Sequence, residues 1–174
     1  MPISTTPNES SNNMSAGKYL TFKLGPEDFG IGILKVQEII GMLSVTRVPK
    51  TPEFVRGVVN LRGKVIPVID LRLKFTLEPK ADTDRTCIIV VQVALQAASV
   101  TMGLIVDEVS EVLNVLADQI EASPSFGSKV DTDFILGMGK VAQKVVMLLD
   151  VDRVLASEEW VTIQSVKNAT EGKG

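Results

Sequence analysis

The chain contains two copies of one sequence pattern. A Phe-X-X-Gly segment at residues 54–57 recurs at 134–137, and the apolar run Val-Ile-Pro-Val-Ile-Asp at 65–70 falls on Val-Val-Met-Leu-Leu-Asp at 145–150. Both matches have the same offset of 80 positions, without a gap. Because spacing and residue type agree, the pattern indicates a duplicated unit. Each half is predicted to form one small barrel rich in strands.

Composition excludes several classes of function. The chain has 18 basic and 21 acidic residues and only 5% aromatic residues, so it lacks the charge and stacking side chains that a nucleic-acid partner requires. It has no histidine, which removes Ser-His-Asp sites, imidazole metal ligands and a phosphohistidine relay. Its single cysteine, Cys87, lies in an apolar run and is predicted to be a buried structural thiol. We expect no catalytic residue, no cofactor and no metal ion.

Acidic residues recur in the second half of the chain, and apolar runs are short throughout. The acids at positions 107, 108, 111 and 118 favour an exposed solvated face over metal or acid-base chemistry, because no spacing forces two of them into one pocket. No apolar run approaches the roughly 18 residues that a membrane-spanning helix needs. We therefore expect no direct membrane insertion.

Alternation of apolar and polar residues predicts a series of short strands. They are expected at residues 19–24, 29–33, 58–61, 65–71, 87–95 and 100–106. The pair at 87–106 is predicted to open the second unit. Segment 36–40 fits either a bent strand or one helical turn. Pro67 lacks a backbone donor, so its hairpin is predicted to lie at a sheet edge.

Short helices are predicted where a cap residue, an acid, a phenylalanine and a glycine follow in order. This pattern occurs at residues 51–57 and again at 131–137, and we expect Phe54 and Phe134 to point inward. A terminal helix is predicted over residues 152–161.

Arg62 is the functional candidate that the two copies single out. It lies at a turn between apolar strands, where the second copy has Ala142 and Gln143 in place of Arg62 and Gly63. The fold therefore does not require an arginine there. Its planar guanidinium can bind a carboxylate or backbone carbonyls of a partner. The alternative is a solvated turn arginine.

Residues 57–71 resemble the signature of the CheW family of chemotaxis coupling proteins, the adaptors that join receptors to the kinase CheA. The likeness continues in order through segments 29–39, 45–54 and 103–113. The resemblance implies an all-β fold with short helices, made of two pseudo-symmetric SH3/OB-like five-stranded β-barrel subdomains packed together.

The domain organisation follows from the resemblance and from composition. Polar residues at 78–84 are predicted to join the two halves. The expected divisions are a disordered N-terminal arm at 1–17, a CheW-like domain at 18–160 with subdomains at about 18–80 and 84–156, and a C-terminal tail at 161–174.

The resemblance also implies partners and the residues that contact them. It implies a non-catalytic cytoplasmic adaptor, recruited to membrane-associated arrays, that couples the cytoplasmic tip of chemoreceptors to the regulatory domain of the histidine kinase CheA. The receptor-binding residues that it implies are Val36, Asn60, Arg62, Gly103 and Val112. The kinase-binding residues are Ile33, Glu38 and Ile39. An asparagine before a turn, such as Asn60, is also typical of a side chain that bonds to the backbone.

Three alternatives remain open from the sequence. One is a small barrel that binds nucleic acid, and another is an adaptor of the same kind in a non-flagellar array. The third is a hydrolase with paired carboxylates.

Overall fold

The computed structural model describes residues 16–75, 81–95, 98–121 and 134–154, and these residues form two antiparallel-rich sheets. The strands are β1 (Gly17–Leu24), β2 (Glu27–Gly32), β3 (Val36–Gly41), β4 (Val55–Leu61), β5 (Lys64–Asp70), β6 (Cys87–Leu95), β7 (Ala98–Val106), β8 (Glu108–Val115), β9 (Ile120–Glu121), β10 (Ile135–Val141) and β11 (Lys144–Leu149). One short helix, α1 (Leu71–Lys74), follows β5. The predicted all-β fold with two subdomains is confirmed.

The two sheets do not follow the two halves of the chain. The five-stranded sheet has the order β3-β6-β7-β5-β4, and the six-stranded sheet has the order β8-β1-β2-β11-β10-β9. Strands β6 and β7 therefore do not open the second unit as predicted, because they pair with β3 and β5 of the first. Each half contributes its first hairpin to the sheet of the other half. The joint at 78–84 divides the two copies but not the two sheets.

The strand registers show that the two sheets are equivalent. Val68 in β5 pairs in parallel with Gly103 in β7. Leu148, 80 positions after Val68, pairs in parallel with Gly30 in β2. Strands β2 and β7 therefore correspond at an offset of 73 positions, and the order of five strands is the same in both sheets.

A short segment completes the outer edge of each sheet in the same way. Thr46 forms an isolated bridge with Val58 of β4, and Glu121 of β9 pairs with Met138 of β10, which is the counterpart of Val58. The sixth strand of the second sheet thus corresponds to the bridge at Thr46. Gly57 lies beneath this bridge at φ +139°, where a Cβ atom would be 2.0 Å from the carbonyl oxygen of Thr46.

The two helices predicted before β4 and β10 are wrong where the structure describes them. Residues 53 and 54 form a turn, closed by a 3.0 Å bond from the Val55 amide to the Pro52 carbonyl, and β4 begins at Val55. Residue 134 is likewise a turn residue before β10, and 131–133 lie outside the described residues. Pairing of the following strand with its hairpin partner outweighs the local capping signals. Phe54 and Phe134 are half-buried and pack against the core, so the prediction that they point inward is confirmed.

Several smaller predictions have clear outcomes. Segment 36–40 is strand, within β3, and a single 3-10 turn at Ile33–Lys35 precedes it. Val151–Arg153 forms another 3-10 turn, and residues 155–161 of the predicted terminal helix lie outside the described residues. Cys87 is half-buried rather than buried, and burial raises the pKa of its thiol.

Pro67 lies one strand in from the edge, in the hairpin whose other strand, β4, forms the edge. It is opposite Val58, whose amide and carbonyl both bond to Thr46 on the far side. The missing proline amide would therefore face β7, and the described pairing with β7 begins only at Val68. The prediction of an edge hairpin is confirmed.

The core continues from one sheet to the other through stacked aromatic rings. Phe22 stacks on Phe29 with centroids 6.0 Å apart, Phe29 on Phe75 at 5.8 Å, and Phe75 on Phe134 at 5.0 Å. Phe75 follows α1 of the first copy, whereas the other three rings belong to the six-stranded sheet or its approach. This aromatic stack therefore fixes the end of α1 against the second sheet.

A group of charged residues, of which Arg72, Asp70 and Asp107 are buried, fixes the start of α1. Arg72, which is 2% exposed, binds Asp70 through Nε and Nη2 at 2.9 Å and Asp107 through Nη1 at 2.9 Å. Asp82 bridges Arg72 at 3.1 Å and Arg56 at 2.9 Å, and Arg56 also binds Asp70. We call these five residues the Arg72 cluster. Asp107 was predicted to belong to a solvated acidic face, and that prediction is wrong for this residue.

The Arg72 cluster joins both sheets and the segment between the copies. Asp107 stands between β7 and β8, and its other carboxylate oxygen accepts a 2.7 Å bond from the Gly25 amide in the β1–β2 turn. Asp70 ends β5 and caps α1 by accepting from the Arg72 amide at 3.0 Å. Breaking a buried pair of this kind costs several kcal/mol, because a charge is left without its partner.

Candidate protein-binding site

An ion pair joins the two ends of the five-stranded sheet. Arg62, at the tip of the β4–β5 hairpin, donates from Nη1 and Nη2 to the two carboxylate oxygens of Glu38 in β3, both at 2.7 Å. Strands β3 and β4 are opposite ends of the sheet order. The sheet must therefore curl until these ends approach, as in a barrel. The guanidinium fork predicted to meet a partner already holds a carboxylate of its own chain.

The tip conformation explains how Arg62 reaches this position. Arg62 and Gly63 both have positive φ, at 52° and 85°, as a two-residue hairpin turn with matched twist requires. Ala142 and Gln143 have positive φ in the second copy, at 51° and 68°. The turn is thus kept with different residues, and only the first copy carries a cation there. The sequence prediction that the fold does not require arginine at this turn is confirmed.

The ion pair remains at the surface. The Arg62 side chain is 70% exposed and that of Glu38 is 25% exposed. The hydrogen bonds from Arg62 lower the pKa of Glu38 and raise the pKa of the guanidinium. Both groups are therefore charged near neutral pH, and one edge of the guanidinium is open to solvent.

Strand β3 presents its residues to two sides. Along β3 the residues alternate between half-buried and exposed. Val36 is half-buried and packs against the core, whereas Ile39 is 44% exposed. Glu38 and Ile39, predicted together as kinase contacts, therefore point to opposite faces of the strand. Glu38 instead binds Arg62, which is a predicted receptor contact.

Two of the predicted receptor contacts have evident structural roles. The side chain of Asn60 accepts a 2.8 Å bond from the Gly63 amide, so it stabilises the hairpin turn. Gly103 is buried in β7, and a Cβ atom there would lie 2.6 Å from Cγ2 of Ile88. Direct contact between Gly103 and a partner is therefore not expected, whereas Asn60 is exposed at the tip.

Val112 lies on the other sheet, in β8, and is 48% exposed. It follows Ile39 by 73 positions, the offset that relates β3 to β8, so these two exposed residues occupy equivalent positions. Leu43 and Leu116 are exposed and related by the same offset, at 40% and 53%. The sequence singled out Ile39 and Val112 but not this second pair, whose regular spacing was the available signal.

Ile33 lies apart from the Arg62–Glu38 pair. It is half-buried in the 3-10 turn before β3 and lines a cleft of about 350 Å³ beside the start of β1 and the end of β11. Its neighbour Leu34, which is not among the predicted site residues, is 96% exposed.

The described surface combines exposed aliphatic residues with charged side chains. Within the described part of the chain, no group of three or more His, Cys, Asp or Glu side chains is placed to hold a metal ion. No helix among these residues is long and apolar enough to cross a membrane. Exposed aliphatic residues at equivalent edges, together with the exposed guanidinium of Arg62, are typical of surfaces that bind other proteins. Fold and site thus define a two-barrel β protein with a surface suited to binding other proteins.

Comparison with known proteins identifies the family. The model of the CheW-like domain matches residues 18–159. The chain is 40% identical over 149 residues to the chemotaxis protein CheW of Klebsiella aerogenes, covering 86% of this chain and 87% of that protein. It is 34% identical to CheW of Bacillus subtilis, covering 81% and 88%. The crystal structure of the scaffolding protein TtCheW from Thermoanaerobacter tengcongensis superposes with a TM-score of 0.73 at 34% identity, covering 83% and 95%.

The chain belongs to the CheW-like family and is a chemotaxis scaffold protein. The resemblance found in the sequence is thereby confirmed. The alternative of a nucleic-acid-binding barrel is not favoured.

Proposed function

We propose that this chain couples the cytoplasmic tips of chemoreceptors to the regulatory domain of the histidine kinase CheA, and that it catalyses no reaction itself. It would act in the cytoplasm, at membrane-associated receptor arrays. The observation that carries the proposal is the exposed Arg62–Glu38 pair, which a duplicated fold does not need and which only one copy contains.

The proposed receptor surface is centred on Arg62 and includes Asn60 at the same hairpin tip and Val36, which begins the strand that carries Glu38. Val112 belongs to it from the second sheet, and Gly103 contributes by allowing β7 to pack closely against Ile88. A partner carboxylate can approach the open edge of the guanidinium, while Glu38 holds the opposite edge and fixes its orientation.

The proposed kinase surface includes Ile33, Glu38 and Ile39. Glu38 also belongs to the proposed receptor surface, because it binds Arg62. Because Glu38 binds Arg62 directly at 2.7 Å, a partner that displaces one of these two side chains also changes the surface to which the other belongs. A scaffold with this arrangement contributes coupling free energy, typically about 1–3 kcal/mol, rather than chemistry.

Exchange of the two charges separates binding from fold stability. Arg62→Ala should weaken binding of a soluble receptor-tip fragment about tenfold or more, as expected for loss of a central arginine. The double variant Arg62→Glu, Glu38→Arg restores the internal ion pair with reversed polarity. We expect it to keep the thermal midpoint of the parent and still to lose receptor binding. Titration calorimetry with the fragment measures receptor binding, and calorimetric unfolding measures the thermal midpoint.

Two results would contradict this assignment. If the exchanged variant binds the receptor fragment as well as the parent does, Arg62 serves only to close the barrel. The control for Ile39, which is 44% exposed, is Val145 on the other sheet, which is 55% exposed. If Ile39→Asp and Val145→Asp reduce binding of the kinase regulatory domain equally, Ile39 is not a kinase contact.

A further inference from the structure

The two barrels differ at the place of the Arg62–Glu38 pair. We call the five-stranded sheet the first barrel and the six-stranded sheet the second barrel. Glu111 in β8 of the second barrel follows Glu38 in β3 by 73 positions, the offset that relates these two strands. Ala142 follows Arg62 by 80 positions and takes the same place in the hairpin turn, with φ of 51° beside 52°. Because a methyl group cannot bind a carboxylate, the second barrel has the acid of the ion pair without its base.

A different contact holds the edge strand of the second barrel. The buried Thr21 hydroxyl in β1 donates to the Glu111 carbonyl at 2.8 Å and accepts from the Glu111 amide at 3.1 Å. At the matching place in the first barrel, Glu38 pairs with Val90, which has no hydroxyl. The first barrel therefore fixes this position through the Glu38 side chain, whereas the second fixes it through the Glu111 backbone. The fold of the second barrel does not depend on the Glu111 carboxylate.

The Glu111 carboxylate is available to a partner. The residue is exposed, and no side-chain hydrogen bond or ion pair of Glu111 is found within the described part of the chain. Glu108, the other acid of β8, binds Arg85 at 3.0 Å. Lys140, a base in the β10–β11 hairpin, binds Glu121 at 2.6 Å. The charges around Glu111 are thus engaged elsewhere, and its own charge is not.

Half-buried aliphatic residues adjoin this position on both strands of the second barrel. Leu113 lies two residues after Glu111 on the same face of β8, and Val141 directly precedes the hairpin turn. Both pack against the core of the second barrel. Their counterparts Ile40 and Leu61 pack in the same way in the first barrel, where the ion pair lies. A basic side chain from a partner can therefore lay its aliphatic stem on Leu113 and Val141 while its charged end reaches Glu111.

We propose that Glu111 binds a basic side chain of the chemoreceptor tip, in the place that Arg62 takes in the first barrel. The proposal rests on the proposed function. The receptor is favoured as the partner because Val112, a proposed receptor contact, is the next residue of the same strand. Arg62 would then receive a receptor carboxylate and Glu111 a receptor cation. Two equivalent barrels thus present opposite charges, and this polarity selects one orientation of the receptor over the reverse one.

Charge reversal at Glu111 tests the proposal with a soluble receptor-tip fragment. Glu111→Lys should weaken binding by about tenfold or more, because two like charges would then meet at the interface. The matched control is Asp118→Lys, which changes the net charge equally at an exposed acid just beyond β8. The control should bind within about twofold of the parent, because a charge away from the contact is screened by salt. Both variants should keep the thermal midpoint of the parent, since Thr21 still holds the backbone of residue 111.

Ala142→Arg supplies the missing base from within the chain. We expect the introduced guanidinium to occupy Glu111 and to weaken receptor binding by about threefold or more. Gln143→Arg, at the next position of the same turn, adds the same charge and should not have this effect. In a Glu111→Gln background, Ala142→Arg should weaken binding no further, because its target is absent. Equal losses from Ala142→Arg in the two backgrounds would overturn the proposal.

The outcomes separate this proposal from the proposed function. If the parent binds the receptor fragment and Glu111→Lys binds it equally well, only the role of Glu111 is refuted. If the parent does not bind the fragment at all, the proposed function and the role of Glu111 both fail. If Glu111→Lys loses binding to the kinase regulatory domain but not to the receptor fragment, the basic side chain belongs to the kinase, and the proposal is overturned.

Discussion

Replacement of Arg72 tests the buried charges that connect the two sheets. Arg72→Leu removes a guanidinium that is 2% exposed and that binds three carboxylates, those of Asp70, Asp107 and Asp82. It leaves Asp70 and Asp107 buried, at 2% and 7% exposure, without this cation. Asp70 keeps its bond to Arg56, and Asp107 keeps the Gly25 amide. Removal of one partner from a buried ion pair costs about 3–5 kcal/mol. For a chain of this size that lowers Tm by roughly 6–20 °C.

The measurement is calorimetric and chemical unfolding of Arg72→Leu beside Arg85→Leu. Arg85 also binds a carboxylate, that of Glu108 at 3.0 Å, but it is 73% exposed. The control should therefore lose no more than about 1 kcal/mol. A double-mutant cycle with Asp107→Leu should show a favourable coupling between Arg72 and Asp107. If Arg72→Leu and Arg85→Leu have equal unfolding free energies, the cluster is not desolvated and this reasoning fails.

Three further predictions concern other parts of the fold. Gly57→Ala should lower the unfolding free energy by at least about 1–3 kcal/mol through backbone strain alone, whereas Gly32→Ala, with open space around it, should change it little; equal unfolding curves would contradict this. Because Arg62 lowers the pKa of Glu38, the ion pair should stabilise the barrel above the usual carboxyl pKa and be lost as pH falls below it. NMR titration should place the Glu38 midpoint below about 4.3, and Arg62→Ala should raise it. Phe75→Ala removes the middle of the aromatic stack and should cost about 3 kcal/mol, measured by urea unfolding; a smaller loss than from an exposed-site control would refute a packing role.

The local elements that depend on neighbouring residues could be predicted from the sequence. The β4–β5 hairpin was expected around Arg62 and Gly63, and both copies form it with positive φ at the two tip residues. Alternation placed β1 and β2 within one or two residues of their observed ends. The candidate site was partly predictable for the same reason, since the contrast of Arg62 with Ala142 is visible without a structure.

The features that depend on distant partners could not be predicted. Hairpins β1–β2 and β6–β7 are equivalent, so either fits either sheet by pattern, and only the packed structure selects the exchange. Asp107 belongs to an acidic run that reads as a solvated face, and its burial requires Arg72, 35 positions earlier. The bond between Glu38 and Arg62 likewise joins opposite ends of a sheet order that the sequence does not contain.

The exchange of hairpins between the sheets has a consequence for how such a chain can arise. One copy of the repeat, expressed alone, has three strands that lack a hairpin and a hairpin that lacks its three strands. Two such copies would complete each other as a swapped homodimer, with the same two sheets. The present chain has the architecture of that dimer with its subunits fused, and fusion frees the two copies to diverge. Arg62 in one copy and Ala142 in the other are an example, because no symmetric homodimer can carry an arginine on one side only.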